Sequence, residues 1–344
     1  MFEYFSPPRM NVCKRWLLIW MMTTVSVRAG DYAADFLHIG VGGRAMAMGG
    51  AFVAMAQDPS MAYWNPAGMA MMQRIHLQVE HVPIFSGLAQ YNSANVVFSL
   101  TPDLAFSLTW IRLGVDEIPR YGALQGSRYE RLTQNQYRST GQAEGYFSDQ
   151  ENALLVSFCR GLIFDLQIGD SFSPLVLPVQ LSFGVSGKYI HHKLDSAHGT
   201  GQGLDAGVLG RFISSTFING EPTRWIGVGL AGRNLSKTQM VWNTASEHKD
   251  TVARTVQMGL AGSYYLTAWQ TRLTLSVDHE MGEVKASYLG GEVRLFDRLA
   301  LRGGYAHDHM TAGAGLSLLG LSLDYAFVAG ELDNTHRVSA AYGF

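Results

Sequence analysis

The side chains in this sequence that could do chemistry are a few histidines, one glycine-rich run with an arginine in it, and a constrained turn. His307-Asp308-His309 places two imidazoles at i and i+2, where an extended turn would aim both to one side. His191-His192 sits at a strand end with its rings on opposite faces, so the two cannot share an ion well. Gly40-Val41-Gly42-Gly43-Arg44-Ala45 looks like a dinucleotide fingerprint. That use needs a buried strand before it, a βαβ unit around it and an acid about 20 residues on. Neither a Gly-x-Ser-x-Gly elbow nor a His-Glu-x-x-His pair occurs in the sequence, and no Ser and His stand in register for acyl transfer. We expect no enzyme, no metal and no cofactor. Arg44, set among small residues, needs an acid if it is buried; Asp205, Asp278, Glu292 and Asp324 are the candidates.

Whatever positions these residues is built from strands. The chain has 344 residues, of which 16% are charged and 38 are glycine. That charge is below the usual quarter, and mean hydropathy is close to zero at +0.03. After the first 29 residues no apolar run approaches the roughly 18–20 needed by a membrane helix. A net charge of −2 without a basic face argues against a nucleic-acid partner.

Three regions follow from the pattern. Residues 1–29 carry Arg9, Lys14 and Arg15, then the apolar core Trp16–Met22, then Val27-Arg28-Ala29 before Gly30. This is the composition of a secretory signal peptide. Its removal takes Cys13 away and leaves Cys159 without a disulfide partner. Residues 30–73 are rich in Gly, Ala and Met and do not alternate. There Asp58-Pro59-Ser60 can cap a short helix with Pro at its first position, and Asn65-Pro66 breaks it again. Residues 74–344 alternate with a period of two, as in Ile75, Leu77, Val79 against Arg74, His76, Gln78. The last such run puts Val338, Ala340, Tyr342 and Phe344 on one face and Arg337, Ser339 and Gly343 on the other.

About fourteen such segments can be counted, with Ala286 and Tyr288 assigned to the apolar side of theirs. One apolar face and one polar face on every strand is the pattern of a wall between lipid and a polar lumen. The connections support it. Thr101-Pro102-Asp103, Phe296-Asp297-Arg298 and Leu319-Gly320-Leu321 are tight and fall at even positions, while 114–150 and 235–250 are long and fall at odd ones. The even connections 165–174 and 219–224 are longer than the rule prefers. An even strand number puts both termini on the periplasmic side. The expected fold is all-β, a transmembrane antiparallel β-barrel of about fourteen strands with an N-terminal hatch of short helices and turns.

The run from Phe36 to Ala54, with Gly42, Arg44, Gly49 and Gly50, followed by Asp58 and by Tyr63-Trp64-Asn65-Pro66-Ala67-Gly68, resembles the start of PorV/PorQ family outer-membrane proteins. That family is similar to the FadL/TodX-like fatty-acid-transporter barrels. The resemblance implies fourteen strands, a hatch folded inside the barrel, and an Asn-Pro-Ala motif matched here by Asn65, Pro66 and Ala67. It covers some thirty-five residues.

Two functions are implied. One is a plugged, monomeric outer-membrane barrel that passes small hydrophobic compounds, its partners being membrane lipid and a hydrophobic ligand. The other is a PorV-like component of type IX secretion, which would need secretion-machinery proteins as partners. The residues themselves bring three further expectations. Pro119 cannot donate to a ladder, so with Gly114 it should interrupt the third strand near its outer end. The segment 121–149 is long enough to bind or gate something, although a solvated loop fits it as well. Asn65 should tie its own turn, Gly68 should permit a left-handed exit, and the turn should hold the hatch against the base of the first strand at Arg74.

Overall fold

The computed structural model describes residues 33–55, 58–137, 141–169, 175–214, 216–245, 248–282, 285–330 and 333–344. The signal-peptide expectation for 1–29 lies outside them. From residue 33 on, the described residues form one compact unit.

Fourteen antiparallel strands form the wall: β1 Ile75–Ile84, β2 Ala89–Thr101, β3 Leu104–Arg120, β4 Gly145–Ile168, β5 Leu175–Leu194, β6 Ala197–Ile213 and β7 Arg224–Arg233, then β8 Thr255–Leu266, β9 Thr271–Met281, β10 Ala286–Leu295, β11 Leu299–Ala306, β12 His309–Leu318, β13 Leu321–Val328 and β14 Thr335–Gly343. Each pairs with its sequence neighbours. The ring closes where β1 meets β14, with Val79 opposite Ala340. Two further short strands, Gln239–Trp242 and Lys249–Thr251, extend the sheet beside the far half of β6. Closure leaves no free edge, which is what allows a β-sheet to cross a bilayer.

Strict alternation makes the wall two-sided. Leu77, Val79, Phe158, Phe183, Val185, Ile226, Val228, Leu275, Val277, Leu301 and Leu323 are exposed on the outside. Gln78, Glu80, Asn95, Thr109, Asp278, Glu292 and Arg337 are buried on the inside. An apolar belt outside and a polar lumen inside define a transmembrane barrel, and strands of ten residues such as β1 and β7 are long enough to span. Both ends of the wall chain lie together, with Phe344 N–H donating to Ile75 O at 3.0 Å. We call this the near end and the opposite rim the far end.

Four details depart from the sequence-based expectations. Ala286 and Tyr288 face the lumen, because β10 alternates through Leu289 and Val293 outward and Glu292 inward. Gly114 and Pro119 do not break the third strand: β3 runs on to Arg120, with Gly114 opposite Gln150 and Pro119 opposite Tyr146. The irregularity is a bulge between Val115 and Ile118, where Glu117 takes φ +57°. What stops at Gly114 is the pairing with β2, whose hairpin is shorter. The connection expected over 165–174 is shorter than that, because β4 and β5 keep pairing to Ile168 and Leu175. The segment 121–149 holds a short helix, α3 (Arg128–Thr133, after the two hatch helices given below). Ser127 caps it, and its side chain and that of Glu130 bond each other's backbone N–H reciprocally. The Ser127 backbone N–H, with the Ser127 hydroxyl second, holds the exposed Glu130 carboxyl below its ordinary range.

Candidate functional site

Residues 33–55 and 58–72 lie among the lumen-facing side chains. They form two helices, α1 (Gly43–Ala47) and α2 (Met61–Trp64), and two 3-10 turns, Asp35–His38 and Pro66–Met71. Elements this short leave most backbone groups without internal partners, and inside a barrel those groups must find them in the wall. Glu80 Oε2 accepts from Gly42 N at 2.9 Å, Ser339 Oγ from Gly43 N at 3.2 Å, and Asp278 Oδ2 from Phe52 N and Val53 N at 2.7 and 2.8 Å. Arg337 donates to Ile39 O at 2.7 Å and Gly40 O at 3.0 Å, and Thr311 Oγ1 donates to Ala47 O at 3.0 Å.

Van der Waals contact follows the same seam. A Cβ on Gly184 would fall on the Pro66–Ala67 peptide, on Gly207 against Asn65 Oδ1, on Gly229 against Val53 O, and on Gly290 against Met48 O. These glycines occupy lumen-facing strand positions, where a missing side chain lets another backbone approach. The sequence reading treated glycine as composition; its period-two placement on the inner face was the signal it passed over.

The expected hatch residues are spread along this seam. Asn65 is fully buried and holds three partners: its Oδ1 accepts from Ala67 N at 3.1 Å, and its Nδ2 donates to Val53 O at 2.8 Å and to Val208 O at 3.2 Å. It therefore ties its own turn but docks on β5 and β6, away from Arg74. Gly68 lies within the Pro66–Met71 turn and is not left-handed; a Cβ there would press on Met61 and Met55 O. In the hatch, Gly40, Gly42, Gly49 and Gly50 are the glycines with positive φ, at +85°, +90°, +67° and +74°. Asp58 Oδ1 accepts from Ser60 N at 2.9 Å and Ser60 Oγ at 2.7 Å, so it shapes the turn before α2, which starts at Met61. The run at Gly40–Ala45 leads into a five-residue helix in an antiparallel barrel, a setting unlike the dinucleotide fold.

Arg44 has found its acid. Its Nε and Nη2 donate to the two carboxylate oxygens of Glu292 at 2.9 and 3.0 Å, and Asp58 Oδ2 lies 3.8 Å from Nη1. Glu292 also receives Arg294 at 2.9 Å and Arg302 at 2.7 Å, and Arg302 reaches Asp324 at 2.7 Å. Burial by itself would disfavour charge on Arg44; the adjacent Glu292 and Asp58 outweigh that and keep its pKa above the ordinary value.

On the far side of the hatch is a cavity of about 430 Å³. Met46, Gly49, Gly50, Trp64, Ala306 and Val328 supply most of its apolar wall. Asp35, His38 and His309 also line it, and others of its polar groups are joined: Tyr288 OH donates to Glu280 at 2.6 Å and lies 2.9 Å from His307 Nε2. Arg233 Nη2 is 3.6 Å from Glu280, and its Nη1 donates to Tyr63 OH at 3.3 Å. Trp64 Nε1 donates to Val41 O at 2.9 Å, which turns its ring toward the cavity without an unmet donor. Tyr288, assigned outward from sequence, is thus part of the site.

The structure brings together one set of metal-capable groups that the sequence left apart. Glu151 faces His192 across β4 and β5, and Asp149 joins them, with ligand atoms within 4.8 Å of one another. His192 is already bonded there, 2.7 Å from Asp149 and 3.7 Å from Glu151. His307 and His309 both line the 430 Å³ cavity.

Residues 24–98 match the model of an uncharacterised protein family, UPF0164. No curated protein matches the chain. Among solved structures it is similar to the Pseudomonas putida toluene transporter TodX, at 10% identity and TM-score 0.46, over 88% of this chain and 96% of that one. The Ralstonia pickettii toluene transporter TbuX gives 14% identity and TM-score 0.46, over 89% and 98%. A Pseudomonas aeruginosa FadL homologue gives 12% identity and TM-score 0.44, over 88% and 97%.

Proposed function

We propose that the protein is an outer-membrane barrel whose far-end cavity receives a small hydrophobic compound, with the hatch closing the lumen until it yields. The near end then faces the periplasm and the far rim the outside, in line with an even strand number and long connections at the far end. The observation that carries the reading is the 430 Å³ cavity against the hatch. It is within the size range of small-molecule sites and mostly apolar in surface, and Arg233, Glu280, Tyr288 and His307 at its edge already bond one another. A charged guest would have to compete with those bonds, whereas an uncharged aromatic or aliphatic one would meet Met46, Trp64 and Val328. Kinship with PorV/PorQ proteins rests on the hatch motif and stays part of the proposal, as do the monomeric state and cleavage after residue 29.

The test is uptake of an uncharged aromatic hydrocarbon into proteoliposomes. Ala306→Trp fills the cavity and should cut uptake about tenfold, the equivalent of roughly 1.4 kcal/mol. Leu301→Trp, on the outward face of the same strand, should leave uptake unchanged. Normal uptake through Ala306→Trp overturns the assignment of the cavity.

A further inference from the structure

A second cavity lies at the near end of the barrel, on the other side of the hatch. It measures about 50 Å³ and is lined by Arg44, Arg211, Arg272 and Arg294 with Glu221, beside Met55 and Trp225. Three of the four arginines have acids. Arg44 and Arg294 share Glu292. Arg272 Nε lies 3.1 Å from Glu221 Oε2, and Arg294 Nη1 lies 3.5 Å from Glu221 Oε1. Arg211 is different. It is 2% exposed and makes no hydrogen bond or ion pair with any other described residue, and its Nε is buried without a partner. Its guanidinium sits over the Trp225 ring, 4.2 Å from the centroid. A guanidinium held over a ring and bonded to no neighbour keeps its N–H donors for something else.

A buried cation without a counter-charge is costly, and the wall offers it an aromatic face where its neighbours have carboxylates. We propose that this cavity is an anion site, and that its ligand is the carboxylate of a small monocarboxylic acid, held by Arg211 with Arg272 beside it. The charge argues for one negative charge. Glu292, Glu221 and Asp58 balance Arg44, Arg272 and Arg294, and Asp324 balances Arg302, so a monoanion balances Arg211 and a dianion would leave negative charge over. The volume argues for a small group, since a water needs roughly 10–15 Å³ on this measure. Planar geometry favours carboxylate, which a guanidinium can grip with two parallel N–H donors. This site does not depend on the far cavity or on hydrophobic transport; it would hold an anion in a barrel that passes nothing.

The experiment is calorimetric titration of the full chain in detergent with acetate, methyl acetate and inorganic phosphate. Acetate should bind one to one, with methyl acetate silent and phosphate weaker. Arg211→Met should weaken acetate at least about tenfold, while Arg128→Ala, in the far loop, leaves it unchanged. If Arg211→Met does not assemble, as judged by heat-modifiable migration, Trp225→Leu carries the same expectation because it releases the stacked guanidinium. No acetate binding, equal binding of the uncharged ester, or unchanged affinity in the assembled variant overturns the anion site. Tighter binding of phosphate than acetate overturns the carboxylate assignment.

Discussion

The two faces of the hatch handle charge in opposite ways. On the far face, Arg233, Glu280, Tyr288 and His307 are joined into one edge, and most of the surface of the cavity they border is apolar. On the near face, arginines crowd around Glu292 and Glu221, and Arg211 is left to an indole ring. The same forty-residue segment contributes to both, Trp64 to one and Arg44 to the other. One small-residue insert thus has a mostly apolar cavity on one face and an arginine-lined one on the other. The contrast depends on the seam of wall glycines and lumen acids that holds the hatch backbone.

The near face should be the more fragile. Glu292→Gln removes the charge shared by Arg44, Arg294 and Arg302, leaving buried cations underpaired at a cost of about 3–5 kcal/mol. The temperature at which the barrel loses its heat-modifiable fold should drop sharply. An unchanged temperature would mean that lumen water already screens these charges, and the contrast between the faces would fall. The seam comes next. Gly184→Val drives a side chain into the Pro66–Ala67 peptide and should cost about 1–3 kcal/mol through overpacking. Gly187→Val, three residues on with nothing within 4 Å of its added Cβ, should be neutral. Equal behaviour of the two would refute hatch contact at β5.

Asn65→Ala deletes bonds to Val53 O and Val208 O and should cost about 1–3 kcal/mol, paid in hatch anchoring. Bilayer recordings should show more frequent openings while assembly stays intact; failed assembly would make the motif a folding element. Smallest is Tyr288→Phe on the far face, which removes one hydroxyl from the Glu280–His307 edge for about 1 kcal/mol. It should leave uptake of an uncharged aromatic within about twofold of normal, and a large loss would show that the edge contacts the guest.

The wall could be read from sequence because lipid and lumen impose a period of two, and runs such as Leu273-Leu275-Val277 state it openly. Parity failed at Ala286 and Tyr288, where Gly290-Gly291 gives no side chain to distinguish the faces and tyrosine fits either. Pro119 misled because a proline opposite Tyr146 costs less next to the β3 bulge than in an unbroken ladder. The hatch was visible as a segment without alternation, and Arg44 as a charge that needs a partner if buried, with Glu292 among its candidate acids. Its docking was not visible, since Asn65 reaches Val208 across 143 residues and no local pattern encodes that distance. Arg211 looked like one lumen residue among many; that its neighbours would use up the nearby acids is a property of the closed ring.

The most direct test of the central claim, that residues 33–72 divide and close the lumen, is single-channel conductance in planar bilayers with and without residues 34–72. A hatch docked as described predicts a nearly closed intact barrel and, after deletion, a stable open channel with conductance higher by about an order of magnitude, since the wall is closed by its own ladders. Equal conductance of the two assembled proteins would contradict it.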